Sequence, residues 1–227
     1  MKSGLYFIVE IERKNEMVKE QFVSLLDKFP ALQEGSLLNE EKYEQSSKII
    51  QSLQDLIRLC GDEPERDGLI DTPYRVLKAF LEYTEGNHEN PMLHLQKTFD
   101  VEHQELILVR DIEFHSLCEH HFAPFFGVAH IGYIPKDKIT GLSKIARMTE
   151  GYAKRFQVQE RLTNQLADAM EMVLEPQGTM VVVEAKHMCM CGRGIRKTKS
   201  STTTTAVRGV FAERADARAE FLSLLNR

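Results

Sequence analysis

The sequence predicts an α+β protein. A mostly helical N-terminal segment, residues 1–98, leads into a domain of residues 99–227 in which strand hairpins flank a helix pair. Two observations predict this. Apolar residues recur at helical spacing up to about Gly86, and from about residue 100 the chain switches to short β-branched and aromatic runs around two amphipathic helices. A third observation says where the chemistry lies. Cys118-Glu119-His120-His121 stands in one segment, and His187-Met188-Cys189 follows almost 70 residues later.

Each element has its own signal. Residues 5–12 alternate loosely, as a strand or short arm would. Asn39 suits the N-cap of a long helix carrying Ile49, Ile50, Leu53, Leu56, Ile57 and Cys60 on one stripe, with Gly61 to end it. Core packing is the expected role of Cys60 on that stripe. Thr72-Pro73 opens a second helix, where proline loses no hydrogen bond, and Val76, Leu77, Phe80 and Leu81 form its apolar side, with Gly86 as the stop. The stretches 61–71 and 86–98 read as loops. Leu106–Phe114 and Phe126–Ile134 read as strands, and Pro135–Lys138 as a turn. Helices are expected over about Ser143–Tyr152 and Val158–Leu174, then strands over Met180–Ala185 and Thr202–Phe211. A final helix covers 215–226.

Composition bounds the function. A hydrophobic share of 42% supports a packed core. No apolar run approaches the roughly 18 residues of a membrane span. The apolar start is broken at once by Glu10 and Glu12, so no signal peptide is read and the cytoplasm is the expected compartment. In a reducing compartment, Cys clustered with His reads as metal binding rather than as disulfides. A net charge of -5 argues against general nucleic-acid binding, so a polyanionic substrate needs a local basic group.

Two thiols and a histidine can hold Zn²⁺ through three protein ligands and leave the fourth position to water, the arrangement of a catalytic site. Cys118 and His121 are three apart and can converge from one turn. His187 and Cys189, two apart on a strand, share a face. His187 is then either a fourth ligand or a proton carrier beside the metal. Cys191 competes as a ligand, although Gly192 suggests that the strand ends there. Ser143 can cap its helix, and Lys144 and Arg147 share a face near the helix N-terminus. That face is either solvated or an anion site. Arg193 and Arg196 add positive charge after the second metal segment. Glu160 near a helix start either answers the helix dipole or accepts the paired N–H donors of a guanine edge. A zinc nucleoside deaminase would need HxE with PCxxC. His103-Gln104-Glu105 fits the first, but no PCxxC occurs in the chain.

Taken together, Cys118-Glu119-His120-His121, Gly132-Tyr133-Ile134-Pro135, Gly141-Leu142-Ser143-Lys144, Gln157–Thr163 and His187-Met188-Cys189 with Arg193-Gly194 resemble GTP cyclohydrolase I over about residues 70–225. The resemblance implies a T-fold and a toroidal homodecamer with active sites between subunits. It also implies hydrolytic attack at C8 of GTP, giving formate and 7,8-dihydroneopterin triphosphate, the first step toward tetrahydrofolate or tetrahydrobiopterin. One Zn²⁺ per subunit would be held by Cys118, His121 and Cys189. His120 and His187 resemble the family's proton shuttles, and Ser143 and Gln159 its polar groups near the ribose and base. Glu160 is similar to its guanine-reading carboxylate, and Lys144, Arg147, Arg193 and Arg75 to its triphosphate ligands. The resemblance assigns no function to residues before about 70 and names no regulatory protein.

Overall fold

The computed structural model describes residues 40–225. The expected N-cap Asn39 and the strand at 5–12 lie outside them. The chain divides into two compact units after Leu81.

In the first unit, α1 spans Glu40–Leu59. Gly61 sits at φ +86°, and its N–H reaches Arg58 O at 2.9 Å while Asp62 N–H reaches Ile57 O at 3.1 Å. This pair of bonds caps the helix and needs a left-handed residue, hence the glycine. The apolar stripe is not buried: Ile49 is 44% and Leu56 51% exposed among the described residues, and Cys60 is exposed rather than packed in a core. Helix α2, Thr72–Tyr83, starts where Thr72-Pro73 predicts. Gly86 is not its stop. The helix ends at Tyr83, and Gly86 lies in a 3-10 turn over Glu85–His88, the first of two such turns in the expected loop. There, already within the second unit, it lies so close to Gly151 that a Cβ would meet the Gly151 carbonyl at 2.1 Å.

The second unit is built on a five-stranded sheet, in the order β5-β2-β3-β6-β7. The long strands are β2 (Ile107–Cys118), β3 (Ala123–Ile134), β6 (Gly178–His187) and β7 (Thr202–Gly209), joined antiparallel. The two-residue β5 (Phe156–Gln157) runs parallel to the end of β2, pairing Cys118 with Gln157. A separate pair joins β1 (Thr98–Asp100) to β4 (Lys138–Thr140), so the expected turn at Pro135–Lys138 runs into a strand. The last expected strand stops at Gly209, and α6 (Val210–Glu213) takes over.

Helices α3 (Leu142–Ala153) and α4 (Gln159–Leu174) lie on one face of the sheet. Val181 and Val183 of β6 join Phe125, Ile131, Ile145, Leu162 and Leu166 in the large core, while Met180 and Val182 join Phe211 and Phe221 in a smaller one that α7 (Ala215–Leu225) helps to build. Alternate residues of β6 therefore feed two cores, which explains its unbroken apolar run. Each such side chain contributes about 1.5–3 kcal/mol on burial. Hairpins flanking a helix pair are the layout the sequence predicts. Among the described residues, no helix is long and apolar enough to cross a membrane.

Candidate metal centre and active site

The site forms where β2 and β6 end side by side. Cys118 is the last residue of β2, and the chain then folds back. His121 and Phe122 both donate their N–H to Cys118 O, at 3.3 and 2.9 Å. Phe122 takes φ 52° to close this turn. A left-handed bulky residue costs roughly 1–2 kcal/mol, a strain that persists where the surroundings impose it.

The HxC segment departs from expectation. Strand β6 stops at His187, and Met188–Cys191 coil into a single helical turn, α5. His187 and Cys189 therefore do not share a strand face. Cys191 moves away too, and its Sγ lies 3.6 Å from Lys197 O.

One ligand atom from each of Cys118, His121 and Cys189 lies within 4.8 Å of the other two. Cys118 Sγ is 4.0 Å from the Nδ1 of both His121 and His120. A tetrahedral zinc with ordinary Zn–S and Zn–N bonds needs donors roughly 3.5–3.8 Å apart, so the three close on an ion with shifts of about an ångström. Burial and the neighbouring Cys118 thiol push the Cys189 thiol up. A divalent cation reverses that preference by favouring thiolates. The donor set fits zinc.

His187 stands apart from that group. Its ring stacks on Phe125, with centroids 4.7 Å apart and planes 3° from parallel. Its Nε2 donates to Gln159 Oε1 at 2.8 Å. Burial lowers its pKa, against a smaller upward pull from Glu160. Gln159 is itself 1% exposed and spends its amide on protein partners. Glu160 follows it in the first turn of α4 and stays exposed.

Sequence reasoning missed Arg161. Its guanidinium grips Glu119 through two bonds of 2.6 and 2.9 Å and holds that carboxyl below its usual range. The fork ties the metal-ligand turn to the start of α4, and Glu119 N–H adds a 3.0 Å bond to Gln157 O. Arg161 sits inside the recognised motif, but its partner is 42 residues away, and nothing local announces that pairing.

The other expected residues lie elsewhere. Ser143 does not cap α3; Gly141 holds that position and no side chain caps the helix. Lys144 and Arg147 have no ion-pair partner among the described residues. Arg147 opens on a cavity of about 260 Å³ with Glu113, His115, Glu150 and Lys154, and no metal-cluster residue lines it. Arg193 is exposed after α5. Arg75 belongs to the first unit, where it pairs with Asp71 at 3.0 Å.

A family model for GTP cyclohydrolase I matches residues 49–226. The chain is 55% identical over 171 residues to "GTP cyclohydrolase 1" of Geobacillus kaustophilus (strain HTA426), covering 75% of this chain and 91% of that one. It is 51% identical over 181 residues to the protein of the same name from Bacillus subtilis (strain 168), covering 79% and 95%. A solved structure, the archaeosine synthase QueF-Like in the apo form, aligns at TM-score 0.39 and 17% identity over 46% of this chain and 93% of that one, a likeness that bears on neither activity nor substrate.

Proposed function

We propose, because the chain belongs to the GTP cyclohydrolase I family, that it opens the imidazole ring of GTP by hydrolysis at C8, releases formate and forms 7,8-dihydroneopterin triphosphate. That product opens the route to reduced folates or biopterin. The observation that carries this reading is the convergence of Cys118, His121 and Cys189 within 4.8 Å, with His120 beside them.

Cys118, His121 and Cys189 would hold one Zn²⁺ per subunit, which when bound supplies Lewis acidity and lowers the pKa of water toward neutrality. Purine C8 is a weak electrophile, and protonating a ring nitrogen makes it more reactive. An imidazole is the side chain suited to moving that proton near neutral pH. His120 and His187 take this role. Glu160, exposed at the start of α4, accepts the N1–H and 2-amino donors of guanine. Ser143 serves as a polar group near the ribose. Lys144, Arg147, Arg193 and Arg75 neutralise the triphosphate.

None of the proposed metal ligands lines the cavity on which Arg147 opens. That separation supports active sites completed between subunits, in a toroidal homodecamer. The reading is tested by incubation with GTP and with ATP, followed for formate and for a fluorescent oxidised neopterin. Product from GTP alone is expected; equal turnover of ATP contradicts the role of Glu160.

A further inference from the structure

The contacts around Gln159 fix the orientation of its amide. Its Nε2 lies 2.9 Å from Val183 O, 2.9 Å from Thr202 O and 3.1 Å from Thr204 Oγ1. The two carbonyls only accept, so this end of the amide must be the nitrogen. The reverse orientation would set an oxygen against two carbonyl oxygens at hydrogen-bond distance in a buried pocket, and an unsatisfied buried group costs about 1–3 kcal/mol. The hydroxyls agree. Thr163 Oγ1 gives its hydrogen to Gln159 O at 2.7 Å. Thr204 must then be the donor in the 2.6 Å contact between the two hydroxyls, which frees its lone pair for Gln159 Nε2. Gln159 Oε1 therefore points at His187 as an acceptor, and Nε2 of that ring must carry a hydrogen. Phe125 stacked on the imidazole fixes the plane in which this bond is made. His187 Nδ1 has no hydrogen-bond partner among the described residues.

We infer that Gln159 is a positioning residue that holds His187 as its Nε2–H tautomer, so that Nδ1 is the nitrogen through which His187 exchanges protons with substrate. The inference rests on the hydrolase reading above for its substrate. It also changes the role that the resemblance implies for Gln159: a side chain this buried, with its amide fully engaged, acts through His187 rather than by touching the ribose or base. Thr163 and Thr204 belong to the same device, since their hydroxyls fix the direction of the amide. The run of four threonines thus contributes one hydroxyl to the site.

The test is neutron diffraction from crystals of the zinc-loaded full-length protein, exchanged into heavy water at alkaline pH, where the imidazole is neutral. Deuterium on His187 Nε2 and none on Nδ1 is expected; deuterium on Nδ1 overturns the inference. A kinetic arm uses Gln159→Met, which keeps the length and loses the acceptor. It should retain zinc and the parent KM for GTP, while kcat falls by about tenfold to a hundredfold. A raised KM with unchanged kcat would mean that Gln159 contacts the substrate, and would overturn the positioning role. Should the variant fail to fold, the neutron map of the parent protein decides alone. A parent protein that releases no formate from GTP would overturn the functional reading and the proton exchange with it. A parent that releases formate but carries deuterium on Nδ1 overturns the tautomer only.

Discussion

The turn at Cys118–His121 and the start of α3 carry two of the metal ligands and two of the triphosphate ligands proposed above, yet the chain treats them differently. Around the turn, side chains are held by other side chains. Arg161 grips Glu119, Gln159 holds His187, Phe125 stacks on that ring, and Cys118 lies 4.0 Å from two histidines. At the start of α3, Ser143 caps nothing, and Lys144 and Arg147 have no ionic partner among the described residues. The first region is held in place by its own contacts, as the proposed reacting groups require, since small misplacements there are costly. The second presents cations without an ionic partner, in keeping with the proposal that their partner is the substrate, since an exposed cation paired in advance would have to give up that partner to bind it.

If this contrast is right, breaking the first region should cost turnover, and breaking the second should cost affinity. Cys118→Ser should have the largest effect, with loss of zinc by metal analysis and of formate release by about a thousandfold or more. Full activity in a metal-free variant would refute the metal assignment. His120→Ala should keep zinc and lower kcat by about 10²–10³-fold; an unchanged rate would move the proton role elsewhere. Arg147→Ala should leave zinc content and kcat near the parent values and raise KM for GTP roughly tenfold, since a charge-assisted hydrogen bond contributes about 1.5–3 kcal/mol. A fall in kcat alone would erase the distinction between the two regions. Arg161→Ala should have the smallest effect on stability. Its side chain is 45% and that of Glu119 31% exposed, so screening limits the loss to about 1 kcal/mol or less by thermal unfolding.

The sequence announces the proposed metal donors because CxxH and HxC are local patterns of uncommon residues. It also announces the large core, through the helical stripes of α3 and α4 and the apolar run of β6. It misleads where a local rule meets a tertiary event. Alternation along a strand would aim His187 and Cys189 alike, but β6 ends at His187, and the following turn sets the two side chains apart. Cys60 lies on an apolar stripe that is at most partly buried among the described residues, and is itself exposed. Strands β1, β4 and β5 have two or three residues each, too few for a periodicity to show. The bonds that hold Gln159 and Arg161 join residues 24 to 45 positions apart, and residue type alone does not pair them.

Hydrolysis of GTP is proposed to take place at the Cys118, His121 and Cys189 cluster. Its most direct test is reconstitution. Protein stripped by a chelator is titrated with Zn²⁺, and formate release from GTP is followed at each step. Activity should be absent at the start and should rise in proportion to bound zinc, reaching its plateau at one ion per chain. Formate release by the stripped protein, or a plateau unrelated to zinc bound at these three residues, would contradict it.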